Sequence, residues 1–540
     1  MKRVICSFVG GLTMEYKVKD FDAIRSVKSM SSFIDRFRVY ASNNRNNNSI
    51  LDTIDKAIQK CIHLKDQVSL VKLYELKISQ IEHLRERQQD IFRLAQLMEE
   101  ISININYNEG LALAYYKKWY IWKLRGEKER SRESLDKSID YVQLLESKNY
   151  AYHVCMYSFA VDKWLRERDT NSTNILEKCA DYFFENGFYR SFAQCLAILL
   201  LIYQQTQDKK KSMELTKKII SKNELINKFP QEIAAIINYF IGVSNKLCFS
   251  IDRAKNYFLK SINVLKSIHD KSIYTGYYLR GLAHLTACYA LQGKLELSYY
   301  QMKEVEVLIE EGETSKNLDS FNKEQIKHDF NLTKFYVLSR LSNVKLEDLE
   351  ELSNNIIENL ETYHSDAAFF SEFLLNANLS KKQLVNIKKF DTSSTRRVEH
   401  ILDFLIAKKA NAKEKKVIEL VSTLQKRPAE KRMTLEERAF ADLLAAQEYF
   451  KLKRYTEIYP LLRKYEKRLD QIEVLELRLF MEAFIQIGAY KNGDIMGPVN
   501  QYLAIKKCRL YKFTKLENKL LDYLDIQAQE ARMNTNYIYS

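Results

Sequence analysis

Residues 282–305, LAHLTACYALQGKLELSYYQMKEV, decide the fold. Leu282, Leu285, Thr286 and Tyr289 recur at helical spacing and mark one face of a first helix. Gly293 follows it where a C-cap glycine ends a helix. Leu295, Ser298, Met302 and Val305 then give a second helix its apolar face, so the stretch reads as a helical hairpin. Ser298 is the last of five small residues, after Ser131, Ser172, Ser212 and Ala254, spaced by 41, 40, 42 and 44 positions. Four residues beyond each stands Leu135, Leu176, Thr216, Phe258 or Met302. A small residue at a fixed register lets one helix approach its neighbour closely. A period in this range predicts stacked helix hairpins, an architecture with no built-in chemistry.

Composition points the same way. The chain has 540 residues, 46% hydrophobic and 29% charged, but only 13 Gly and 4 Pro. A sheet-rich fold of this length needs many more turn residues. Eight scattered cysteines form no CxxC pair and read as reduced, buried thiols of a cytoplasmic protein. The basic start, MKRVICSFVGGLTMEYK, is a poor signal peptide, because Ser and Gly break its apolar stretch and Glu15 and Lys17 follow. The longest apolar run, residues 195–203, is far short of the ~20 residues a membrane helix requires, so no membrane insertion is expected.

Two earlier units repeat the opening pattern. Tyr239, Ile241, Gly242 and Asn245 precede Ala254, Phe258, Ser261 and Ile262. Trp119, Trp122 and Gly126 precede Ser131, Leu135, Ser138 and Ile139. These positions resemble the tetratricopeptide repeat, with weaker echoes at Asp90, Leu94 and Leu97 and at Ala446, Tyr449, Tyr455, Ile458, Leu462 and Tyr465. The period near 41 exceeds the family's ~34, and the closing proline is missing from every unit. The resemblance implies an all-α, right-handed solenoid of antiparallel hairpins whose first helices line a concave groove.

Along the chain, residues 1–48 are expected to be an irregular head, with a short strand at 4–9, a helix over 21–41 and a polar loop at 43–48. Repeats fill 49–312. Hairpins with loop insertions continue over 313–390, a C-terminal helical segment covers 391–533, and 534–540 is a frayed tail. Thr434 is placed to cap the helix that follows it.

Catalytic signatures are missing from the sequence. The Gly10-Gly11 pair has no strand-to-helix context for phosphate binding. His153 and Cys155 are two apart, and on a helix such neighbours point to different faces and cannot chelate one ion together. The pairs Glu99-Glu100, Glu350-Glu351 and Glu436-Glu437 read as solvated faces. No enzyme activity, cofactor or metal is therefore expected.

Carrying the family's groove positions onto this chain selects Tyr116, Tyr120, Lys123, Tyr157, Trp164, Gln194, Gln204, Gln205, Tyr239, Lys246 and Arg280. Amides, rings and cations of this kind suit a peptide or protein with acidic groups. For each aromatic in the set, packing between repeats is an equal expectation. The resulting function is a non-catalytic scaffold or adaptor, with a peptide-responsive regulator and an RNA-binding repeat as alternatives. The formal charge of +15 keeps nucleic acid in consideration, and residues 396–540 hold 28 Lys/Arg against 20 Asp/Glu. These charges alternate in sign at helical spacing, as on solvated faces.

Overall fold

The computed structural model describes residues 24–44, 48–82, 87–167, 169–206, 208–221, 229, 231–267, 272–310, 320–342, 344–360, 367–390, 396–425 and 434–523. The strand expected at 4–9, the Gly10-Gly11 pair, the boundary at 391–395 and the tail lie outside them. Among the described residues every regular element is a helix. The helices are α1 Val27–Asn43, α2 Asn48–Leu64, α3 Gln67–Ile81, α4 Gln88–Asn104, α5 Asn108–Leu124, α6 Lys128–Gln143, α7 Tyr150–Glu167, α8 Ser172–Glu185 and α9 Tyr189–Gln205. Next come α10 Lys209–Ile220, α11 Gln231–Leu247, α12 Ile251–Leu265, α13 Ser272–Leu291, α14 Leu295–Glu310, α15 Ser320–Leu338, α16 Leu346–Asn359, α17 Ala367–Asn376 and α18 Lys381–Phe390. The last are α19 Arg396–Lys409, α20 Glu414–Gln425, α21 Leu435–Lys451, α22 Ile458–Leu462, α23 Leu475–Lys491, α24 Gly497–Leu510 and α25 Thr514–Leu521. Consecutive helices pack on one another, as in a helical-repeat protein. The chain divides into two compact units, one within Met1–Ile202 and Lys218–Ile237, the other within Tyr203–Lys217 and Asn238–Ser540.

The repeated small residues are where the register places them. Ser131, Ser172, Ser212, Ala254 and Ser298 are all buried, and so is the residue four positions after each. Two of the serines make the same bond. Ser131 Oγ donates to Trp119 O at 3.4 Å and Ser298 Oγ to Thr286 O at 3.0 Å, each twelve residues upstream. Seven positions beyond the small residue, Ser138 Oγ donates to Ala112 O (2.9 Å) and Cys179 Sγ to His153 O (3.4 Å), each 26 residues upstream. The small side chain thus allows close approach and also ties the second helix to a first-helix carbonyl.

A chain this poor in glycine still makes tight turns. After α5, the Gly126 amide bonds Lys123 O and the Glu127 amide bonds Trp122 O, the paired 5→2 and 6→1 bonds of a Schellman cap. The same pair closes α13 at Gly293 and Lys294. It also forms at Lys65, Asn106, Phe249, Asn411, Lys453 and Lys512, non-glycine residues held at φ between 51° and 61°. Gly293 has a further constraint: a Cβ there would lie 2.4 Å from Leu475 Cδ2.

In the first unit, α3 gives Leu73 and Leu76 to a core shared with α1 and α2, and Val71, Ile78 and Ile81 to the next core along. Helices that feed two cores must be apolar on more than one side. The head helix α1 is tied to two segments of this unit that lie far apart in sequence. Gln80 Nε2 donates to Ala41 O at 2.8 Å, and Asn43 Nδ2 to Gly187 O at 2.8 Å. Between these ties Arg38 lies 3.8 Å from Glu75 and over the Tyr150 ring, with Lys117 bridging Glu75 (3.6 Å) and Glu82 (2.9 Å). All three central charges are buried, and among the described residues Arg38 Nε and Nη2 and Glu75 Oε2 have no hydrogen-bond partner.

Candidate functional site

The expected groove residues divide between the units and differ in exposure. On α5, Lys123 is exposed with its ammonium 4.9 Å from the Trp119 ring centroid, while Tyr120 is half-buried. Tyr116 stacks on Trp119 at 5.9 Å and packs against two cores. On α7, Tyr157 packs against the core around Phe183, and Trp164 is buried. Gln194 on α9 is exposed, and the side chains of Gln204 and Gln205 lie outside the described set. Helices α5 and α7 are in contact, and on α7 Arg166 Nε donates to Asp162 Oδ2 at 2.5 Å.

In the second unit Tyr239 and Lys246 are both buried, and Arg280 is half-buried. Lys246 Nζ lies 3.1 Å from His284 Nδ1 and 5.4 Å from the Phe369 ring centroid. His284 in turn stacks on Phe258. This pair therefore belongs to the packed interior behind one wall of a cavity.

That cavity, of about 240 Å³, is the most distinctive feature of the second unit. Phe369, Phe404, Phe440, Phe480, Tyr336 and Tyr523 contribute its rings, from α15, α17, α19, α21, α23 and the residues after α25. Its charges are arranged in sets. Arg340 donates from Nε to Glu476 Oε2 (2.6 Å) and from Nη2 to Glu372 Oε2 (2.8 Å), and its guanidinium covers the Tyr336 ring at 3.6 Å. Tyr336 OH completes the group by donating to Glu476 Oε2 at 3.2 Å. Burial alone would lower the Arg340 pKa, but Glu476, Tyr336 and Glu372 hold it above its ordinary value. Glu448 accepts from both Lys408 (2.8 Å) and Lys451 (3.1 Å). Burial and the second ammonium depress Lys408, while Glu448 keeps Lys451 raised against its own burial.

The reading of Glu436-Glu437 as a solvated face is overturned, because both are buried. Glu437 is consumed by local structure: Thr434 Oγ1 accepts from the Glu437 amide and the Glu437 carboxylate accepts from the Thr434 amide, closing a capping box. Glu436 turns towards the cavity and accepts from the Glu473 amide at 3.4 Å. One clue was present in the sequence. Glu436, Phe440, Leu443, Gln447 and Lys451 fall at i, i+4, i+7, i+11 and i+15, an inward stripe of α21 carrying polar groups. Arg340, Glu476 and Lys519 gave no such signal, since distant segments bring them together.

Among the described residues no group of His, Cys, Asp and Glu side chains could hold a metal ion, and no helix is long and apolar enough to cross a membrane. His153 stacks on Tyr182 at 3.9 Å, and Cys155 points its thiol at Ala112 O. No protein-family model matches the chain, and no curated protein matches it.

Proposed function

We propose that the chain is a non-catalytic, tetratricopeptide-like scaffold or adaptor, a right-handed superhelix whose first helices bind a protein or peptide bearing acidic groups. The observation that carries this reading is the contact between α5 and α7, with exposed Lys123 beside the Trp119 ring on one helix and the Arg166–Asp162 pair on the other. Ordered, mixed-sign polar groups beside aromatic rings suit a polypeptide, whose carboxylates meet the cations while its apolar groups pack on the rings. The twice-repeated serine-to-carbonyl bond supports the family assignment. A cytoplasmic location is read from the scattered thiols, of which six of the seven described are buried.

The test is affinity purification from nuclease-treated native lysate, with the wild-type chain and Lys123→Glu compared by quantitative mass spectrometry. A stoichiometric protein retained by wild type and lost from the variant supports the reading. Equal recovery with both chains sinks the surface assignment. Loss of every partner after nuclease puts the RNA-binding alternative first.

A further inference from the structure

The cavity of the second unit is balanced in charge. Among the described residues its lining carries four cations, Arg340, Lys408, Lys451 and Lys519, and four carboxylates, Glu372, Glu436, Glu448 and Glu476. Arg340 is held by Glu476 and Glu372, and Glu448 by Lys408 and Lys451. Glu436 accepts from the Glu473 amide, and Lys519 is exposed to water. The rest of that lining is seven aromatic rings, seven aliphatic side chains and the amides of Asn376 and Gln447. We infer that this cavity binds an uncharged bicyclic aromatic molecule carrying one hydrogen-bonding group, which is placed at Gln447. This goes beyond the scaffold reading, because the occupant is a small molecule.

Size, wall and charge select that chemistry together. A protein cavity of about 150 Å³ lined by Leu, Ile and Phe takes up benzene, and drug-sized sites begin near ~300 Å³. The 240 Å³ here falls between them and leaves room for a second fused ring. Phe369, Phe404, Phe440 and Phe480 come from α17, α19, α21 and α23, so a planar guest has ring faces and edges from four helices to pack against. An ion of either sign is disfavoured. Glu372, Glu448 and Glu476 already accept from Arg340 or the two lysines, and the same bonds engage those three cations. A charged guest must therefore break one of these pairs or lie uncompensated against the rings, and both are costly. A neutral guest leaves every pair intact. Its polar group has one uncharged handle to meet: Asn376 Nδ2 donates to Glu372 at 3.2 Å, whereas half-buried Gln447 presents both a donor and an acceptor at the lining.

The test uses the full chain and three probes of one shape, neutral 1-naphthamide, anionic 1-naphthoate and cationic 1-naphthylmethylammonium, titrated calorimetrically at neutral pH. The expected result is one naphthamide per chain, bound about tenfold tighter than either ion, which corresponds to about 1.4 kcal/mol. Gln447→Trp fills the space beside the handle and should weaken naphthamide by about tenfold or more. Gln447→Lys adds a cation that no lining carboxylate is free to answer, so it should turn the preference towards naphthoate. Thermal melting establishes that each variant folds, and the wild-type comparison decides by itself if one does not. Binding of either ion by wild type as tightly as the amide overturns the proposal. So does full naphthamide binding by a folded Gln447→Trp, an unchanged preference in a folded Gln447→Lys, or failure of all three probes to bind.

Discussion

Arg340 and Glu476, 136 positions apart in sequence, are joined by a 2.6 Å hydrogen bond from Nε to Oε2, with Arg340 almost wholly buried. The same guanidinium holds Glu372 and covers Tyr336, so it fastens α15, α17 and α23 around the cavity. Removing one member of a buried pair strands the other's charge, whereas replacing the pair with apolar groups of similar shape is much better tolerated. Arg340→Met should therefore destabilise the second unit by about 3 kcal/mol. Arg340→Met with Glu476→Gln should recover part of that loss. Urea unfolding of the single and double variants measures the coupling, and strict additivity would rule out this pairing as a structural tie.

Ala254 is fully buried in the position that recurs along the chain as Ser131, Ser172, Ser212 and Ser298. Ala254→Arg asks a charged side chain to enter a contact with no free space, and should cost about 3 kcal/mol or more. Gly242→Ala is the graded companion. Its Cβ would lie 2.7 Å from the Phe258 ring, and rotation of that ring limits the expected loss to about 1–2 kcal/mol. Thermal melting of both variants checks the ranking, and an unaltered melt for Ala254→Arg would refute the repeat register.

The turns permit a test in both directions. Lys65 and Lys453 are held at φ of 53° and 59°, where a Cβ costs about 1 kcal/mol. Replacing either by glycine should raise stability by up to about 1 kcal/mol, less the extra freedom gained by the unfolded chain. Gly126 has φ of 75° and open space around its Cα, so Gly126→Ala isolates the backbone cost and should lose about 1 kcal/mol. Denaturant midpoints decide, and a neutral Gly126→Ala would contradict the left-handed cap.

Burial lowers the pKa of His153 to about 4 and of His328 to about 4. In the unfolded chain both titrate near 6.5, so between pH 6.5 and 4 the unfolded state binds protons that the folded state refuses. The stability they contribute is complete above pH 6.5 and is lost as pH falls towards 4. Each histidine adds a slope of up to about 1.4 kcal/mol per pH unit. His153→Phe with His328→Phe should flatten urea midpoints across this window, and an unchanged pH profile would mean these imidazoles are hydrated.

Helical hairpins could be read from residues 282–305 because hairpin formation is governed by local spacing. Apolar residues at helical intervals, a small residue where helices touch and a glycine at φ of 79° in the turn are all properties of one short segment. The capping role of Thr434 was legible for the same reason, since both of its hydrogen bonds lie within three residues. The groove positions were harder to assign. Periodicity says that Trp164 and Tyr239 lie on a helix, but their burial depends on which neighbouring helices cover them.

Glu436 shows where local reading ends. A carboxylate next to another carboxylate on a helix is ordinarily solvated, and here it is buried because α21 presents that face to the cavity. The repeat, its register and most turns follow from interactions over a few residues, so a single stretch of chain specifies them. The cavity needs side chains from 249 to 523 to meet, and the pairing of Arg340 with Glu476 exists only once they do. Charge partners of this kind depend on distances across the folded unit, which no local pattern encodes.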